Sequence, residues 1–149
     1  MPEDVIAYSH SRHPAPYRER VGWFAIFYGL FAAPVVWSGD LMTEFALASH
    51  ACYPGIVPLA HAEPGFGWVW PTVLGFHILA LVLIASGFVV SLRNWRLTGP
   101  PEGHAHHLME VGEGRTRFIG LVGMAFSLMF FVITATETIA MAWVPLCTR

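Results

Sequence analysis

Three long apolar segments, more than any other feature, limit what this chain can fold into. They cover residues 22–51, 70–92 and 118–144. A helix needs roughly 20 mostly apolar residues to cross the hydrocarbon core of a bilayer, and each segment exceeds that length. The sequence therefore predicts an all-α integral membrane protein with three transmembrane helices.

The remaining residues form short polar connections, and the composition excludes several classes of protein. The tail 1–21, the loops 52–69 and 93–117 and the tail 145–149 leave no room for a second domain in 149 residues. Charged residues make up 12% of the chain, about half the share of an ordinary soluble domain. There is no lysine and no basic run that would follow a nucleic-acid backbone, so nucleic acid is excluded as a partner.

The arginines predict the orientation of the helices. Seven of the eight lie in the first tail or in the second loop, and the first loop has neither Lys nor Arg. The positive-inside rule then predicts a cytoplasmic N-terminus, a cytoplasmic second loop and a periplasmic C-terminus in a bacterial inner membrane. Only Arg149 lies on the other side.

Two cysteines fall on the same predicted side of the membrane. Cys52 follows the first apolar segment, and Cys147 follows the third. The outer ends of two helices in one small bundle can lie within disulfide reach, which requires Cα atoms no more than about 7 Å apart. The alternative is a pair of free buried thiols. The matched depth and the shared oxidising side favour a disulfide.

Four ionisable residues interrupt the apolar segments: Asp40, Glu44, His77 and Glu137. Glu44 and Glu137 lie eight residues before Cys52 and Pro145, roughly 12 Å below the outer helix ends at 1.5 Å per residue. His77 lies six residues after Pro71, roughly 9 Å down. All four fall on helical faces rich in small residues, which predicts that they face the bundle or a partner protein. Acids in the first segment are also atypical of a signal peptide.

Several chemistries fit such a layer, and the sequence leaves them open. His77, Glu44 and Glu137 provide ligands that suit copper or iron. The same groups could relay protons, or hydrogen-bond a quinone or a haem propionate. The structural alternative is a satisfied network, in which Asp40 and Glu137 bond to Thr43, Thr134, Thr138 or His77.

Other candidate sites carry weaker signals. His104, His106 and His107 form a short histidine-rich tract that can bind metal, although such exposed tracts are usually only solvated. A haem held by two histidines needs two deep ones, and only His77 is deep, so haem would require a dimer. No P-loop, H-E-x-x-H, C-x-x-C or G-x-S-x-G motif occurs, which favours a protein without an active site of its own.

Four short segments carry a family resemblance: residues 33–37 (APVVW), 49–54 (SHACYP), 114–118 (GRTRF) and 145–147 (PLC). At these segments the chain resembles small three-helix membrane proteins of proteobacteria that are associated with terminal, haem–copper oxidase gene clusters. Glu44 departs from that resemblance, in which an aromatic or apolar residue is usual. The resemblance implies association with an aerobic respiratory complex.

Three functional hypotheses follow from these features. The leading one is a non-catalytic accessory subunit whose partners are larger respiratory membrane subunits. The second is a metal- or haem-handling assembly protein that uses Asp40, Glu44, His77 and Glu137. The third is a homo-oligomeric proton channel or transporter, in which the acids of several copies line a path.

Overall fold

A computed structural model describes residues 18–53, 55–57, 59–98, 115–144 and 147. A short 3-10 turn at Arg18–Arg20 precedes three α-helices, which are α1 (Trp23–Cys52), α2 (Val69–Leu97) and α3 (Arg115–Trp143). The described ranges contain no β-strand. Each helix packs against both of the others, so the described part of the chain is an all-helical three-helix bundle.

All three helices are long and apolar enough to cross a membrane. At 1.5 Å per residue they measure roughly 45 Å, which exceeds the roughly 30 Å of a hydrocarbon core. Within the most apolar part of each helix, only 28%, 28% and 22% of the residues are buried inside the bundle. Most of the apolar surface therefore faces outwards, as expected of a multi-pass membrane protein.

Small residues bring the helices close together in the half of the bundle that carries the arginines. Gly29 of α1 and Gly123 of α3 both face Ser91 of α2, where a Cβ atom on either glycine would lie within 2.6 Å of Ser91 Oγ. The Ser91 hydroxyl donates a hydrogen bond of 2.9 Å to the carbonyl oxygen of Gly29. The buried faces overlap the small-residue faces that the sequence predicts. The shared residues include Gly29, Ala33 and Asp40 on α1, His77, Ala80, Gly87 and Ser91 on α2, and Gly120, Gly123, Ser127 and Thr134 on α3.

The opposite end of the bundle, here called the disulfide end, is closed by Cys52 and Cys147. These two residues form a disulfide, with Cα atoms 5.4 Å apart. Around it lies a small apolar cluster of Ala51, Val69 and Val73, against which residues of the connecting loop and of α3 pack. The connection from α1 to α2 is irregular and folds back onto α1, because Leu59 N–H donates to the Cys52 carbonyl.

Two helix ends differ from their predicted positions. The second helix ends at Leu97 rather than at residue 92, and the third begins at Arg115 rather than at residue 118. Hydropathy marks only the part of a helix that lies in hydrocarbon, and polar contacts extend α2 beyond it. The Asn94 amide donates to the Ala25 carbonyl of α1, and the Thr98 hydroxyl donates to the Asn94 carbonyl.

Candidate functional site

His77 is the centre of a polar group that lies within the apolar part of the bundle. Its side chain is 1% exposed, and its two ring nitrogens face two acids of α1. Nδ1 lies 3.5 Å from Asp40 Oδ2, and Nε2 lies 3.9 Å from Glu44 Oε2. We call Asp40, Glu44 and His77 the acid–histidine cluster. The sequence places all three in this layer, and the structure brings them together.

The helix geometry of α1 explains why one imidazole meets both acids. Asp40 and Glu44 are four residues apart, so they lie on the same face, one turn apart along the axis. The contact of Gly29 with Ser91 and Gly123 sets the alignment of the helices. Three helical turns from this contact towards the disulfide end correspond to roughly 11 residues along each helix. At that level lie Asp40 of α1, Ala80 of α2 and Thr134 of α3. His77 is one turn beyond Ala80 towards the disulfide end, between the levels of Asp40 and Glu44.

The two acids of the cluster differ in exposure. The side chain of Asp40 is 4% exposed, whereas that of Glu44 is 29% exposed. Glu44 is therefore the open edge of the cluster, at the surface of the bundle and within the membrane-spanning part of α1. A carboxyl group at such a depth is costly unless a polar group or another chain covers it.

Glu137 is not part of this cluster, although its sequence depth suggested that it would face Glu44 or His77. Its carboxylate accepts a hydrogen bond from the Trp37 indole, with Nε1 at 3.3 Å from Oε2 and 3.4 Å from Oε1. The indole ring also packs against Phe130. Glu137 remains close enough to Asp40 for the two carboxyl groups to interact electrostatically.

In the described residues, the hydroxyls of the threonines that were expected to satisfy the acids do not donate hydrogen bonds to them. Thr43 donates to the Gly39 carbonyl at 2.8 Å, and Thr138 donates to the Thr134 carbonyl at 2.7 Å. A threonine in a helix reaches the carbonyl four residues earlier within its own turn, and this local bond competes with longer-range partners. Of the contacts named in the structural alternative, the structure shows the approach of Asp40 Oδ2 to His77 Nδ1 at 3.5 Å.

The Trp37–Glu137 hydrogen bond gives a direct prediction for stability. We expect Glu137→Leu to lower the free energy of unfolding by about 0.5–1.5 kcal/mol, because the half-buried indole N–H loses its acceptor. Glu137→Gln should cost less, since the amide oxygen still accepts. Unfolding in mixed micelles would measure both, and a double-mutant cycle with Trp37→Phe should show a coupling of similar size. A coupling of zero would mean that the bond contributes nothing.

Three buried polar atoms in this region have no hydrogen-bond partner within the described part of the chain: Asp40 Oδ1, His77 Nε2 and Thr134 Oγ1. Thr134 is fully buried, and the alignment of the helices places it at the level of Asp40. Buried polar atoms are normally paired, and each exception calls for an explanation such as strain, a catalytic role or an ordered water or ion. The acid–histidine cluster thus has unused hydrogen-bonding capacity.

The described residues contain no complete set of ligands for a metal ion or for a haem. No three His, Cys, Asp or Glu side chains among them converge as a metal ion requires. His50 is exposed at the end of α1, where its ring packs edge-on against Phe66, and His61 is exposed in the loop. Neither can pair with His77 on one haem. His104, His106 and His107 lie outside the described residues.

A second polar layer, which the sequence analysis did not identify, lies in the other half of the bundle. Besides the Ser91 and Asn94 bonds to backbone carbonyls of α1, the Tyr28 hydroxyl lies 2.6 Å from Ser86 Oγ. The sequence spacing could have indicated this layer, because Asn94 lies on the same face of α2 as Gly87 and Ser91. These bonds hold α1 against α2.

No protein-family model matches the chain, and neither a curated protein nor a solved structure matches it.

Proposed function

We propose that the chain is a non-catalytic accessory subunit of a larger membrane complex of aerobic respiration. One observation carries the proposal: the carboxyl group of Glu44 lies within a membrane-spanning helix, yet 29% of its side chain is exposed at the surface of the bundle. A second polypeptide that covers this edge removes the cost of contact between the acid and hydrocarbon. A bundle that is incomplete at one edge is typical of a subunit.

The outward faces of the bundle support the same role. The helices bury less than a third of their most apolar parts within the chain, so extensive apolar surface is left for lipid and for the helices of a partner. In the described residues, the acid–histidine cluster has no serine, threonine or cysteine nucleophile hydrogen-bonded to His77. This arrangement favours docking over catalysis.

The assignment to respiration rests on the family resemblance at residues 33–37, 49–54, 114–118 and 145–147. That resemblance favours a haem–copper terminal oxidase as the partner complex and the bacterial inner membrane as its location. Small subunits of this kind consist of a few helices with little soluble mass. The length and composition of the chain fit that description.

The proposed orientation follows from the distribution of arginine. In the described residues, Arg20, Arg93, Arg96, Arg115 and Arg117 all lie at the end of the bundle opposite the disulfide. We expect this end to face the cytoplasm and the disulfide end to face the periplasm. An alkaline phosphatase fused after Arg149 should be active. A green fluorescent protein fused at the same point should not fluoresce, because the Sec route exports it unfolded to the periplasm. The reverse pattern would overturn this orientation.

Purification of the tagged full chain from its native membranes in a mild detergent tests the proposed function. We expect larger haem-containing oxidase subunits to co-purify in near-stoichiometric amounts, identified by mass spectrometry and by haem absorbance. Glu44→Leu should reduce the yield of these co-purified subunits. Glu63→Gln, which changes an exposed acid in the first loop, should leave the yield unchanged.

Other results of the same purification would contradict the proposal. A pure oligomer of this chain would favour the proton channel or transporter, in which a second copy covers Glu44. Stoichiometric copper or iron without a partner would favour the metal- or haem-handling assembly protein. Metal analysis and native mass spectrometry on the purified sample distinguish these results.

A further inference from the structure

The two ring nitrogens of His77 have different partners, and this difference fixes the tautomer of the neutral ring. Nδ1 lies 3.1 Å from the carbonyl oxygen of Val73, one turn earlier in α2. A backbone carbonyl only accepts hydrogen bonds, so Nδ1 carries the hydrogen in the neutral imidazole and donates it to Val73. Nε2 is then the basic nitrogen with a free lone pair.

That basic nitrogen faces an acid that reaches the surface of the bundle. Nε2 is buried without a hydrogen-bond partner in the described residues, and Glu44 Oε2 lies 3.9 Å from it. The gap is longer than a hydrogen bond, so a proton passes between these atoms only when a rotation of the partly exposed Glu44 side chain brings them together. A buried base thus has an acid between it and the outside of the bundle.

We propose that Glu44 and His77 form an intramembrane proton-exchange site, in which Glu44 delivers a proton to Nε2 of His77. The first proton comes from water beyond the disulfide end of the bundle, roughly 12 Å from Glu44. A hydronium ion that reaches the open edge of the cluster protonates the Glu44 carboxylate and leaves as water. The O–H bond of Glu44 then breaks, its electron pair stays on the carboxylate, and the lone pair of Nε2 forms the new N–H bond. The net change is one proton taken up by His77, and the reverse steps release it.

The surrounding charges fit a positively charged ring. Asp40 of α1 lies next to Nδ1, Glu44 of α1 lies next to Nε2, and Glu137 of α3 is close enough to Asp40 to interact with it electrostatically. All the described arginines lie at the opposite end of the bundle. An imidazolium between two carboxyl groups is therefore compensated locally, without the cost of an isolated charge in the membrane. Proton exchange at this site needs no residue of another chain.

The experiment uses the full chain, labelled with ¹⁵N-histidine and reconstituted in lipid nanodiscs. Solid-state NMR across a pH series follows the histidine signal that disappears in His77→Gln. We expect this histidine to carry its proton on Nδ1 at high pH and on both nitrogens at low pH. Exchange of the Nε2 proton with solvent should slow by at least about tenfold in Glu44→Gln, because general acid catalysis of this kind typically contributes 10²-fold or more.

A purely structural cluster gives different results. Glu63→Gln is the matched control, and in this variant the Nε2 proton of His77 should exchange at the wild-type rate. A retained hydrogen bond from His77 Nδ1–H to the Val73 carbonyl in Glu44→Gln verifies that this variant folds. The proposal is overturned if His77 keeps one protonation state throughout the series, if its neutral form carries the proton on Nε2, or if Glu44→Gln exchanges as fast as the wild type.

Discussion

Replacing Cys52 and Cys147 together by alanine should lower the free energy of unfolding by about 2–4 kcal/mol. The disulfide joins residues separated by 95 positions, so it closes a loop that contains most of the chain. Closing so long a loop restricts the unfolded state strongly, and the chain-entropy argument assigns it on the order of 4 kcal/mol. Helices that stay inserted in micelles while unfolded already limit that state, so we expect the loss near the lower end.

Reduction provides the control for this prediction. Dithiothreitol should lower the stability of the wild type by the same amount and should leave the double alanine variant unchanged. On a non-reducing gel only the wild type should migrate faster than its reduced form. Equal stability of the oxidised protein and of the double variant would show that the bond does not stabilise the bundle.

Gly123→Ala should lower the free energy of unfolding by about 1–3 kcal/mol, because the three helices have no space for a methyl group there. The new Cβ would lie 2.5 Å from Ser91 Oγ and 2.7 Å from the carbonyl oxygen of Gly29. Rotation of Ser91 relieves the first contact, but the second is with backbone. Relief therefore requires that α1 and α3 move apart, which weakens the Ser91–Gly29 hydrogen bond.

Gly39→Ala is the matched control, since a Cβ at Gly39 would have no neighbour within 4 Å. Alanine favours a helix over glycine by about 1 kcal/mol, so this variant should be as stable as the wild type or more so. Unfolding of both variants in the same micelles separates the steric effect from helix propensity. Two variants of equal stability would contradict the close packing of α1 and α3.

The sequence predicted the coarse fold because the membrane imposes simple rules on it. Apolar length alone identified three helices, and helical spacing identified the faces that pack together. The pairing of Cys52 with Cys147 followed from depth and sidedness. The contact of His77 with acids of α1 followed from the cost of leaving any of these groups in hydrocarbon.

The partners of individual polar groups could not be predicted in the same way. Depth placed Glu137 beside Glu44 and His77, but depth says nothing about the rotation of α3 or about the reach of an indole. The Trp37 indole hydrogen-bonds to Glu137, while Asp40 and Glu44 lie next to the two ring nitrogens of His77. The threonines were assigned to the acids because hydroxyls bond to carboxylates, yet Thr43 and Thr138 donate to the backbone carbonyl four residues earlier in their own helices.

Photocross-linking in native membranes tests the proposed subunit role most directly. A photoreactive amino acid at Leu41, one turn before Glu44 and 41% exposed, samples the open edge of the acid–histidine cluster, and the same probe at Val82, 61% exposed on α2, measures background. We expect a cross-link from Leu41 to a larger respiratory membrane subunit, and none from Val82. A cross-link from Leu41 to a second copy of this chain, or to lipid alone, would contradict the accessory-subunit role. Cross-links of equal yield from Leu41 and from Val82 would contradict it as well.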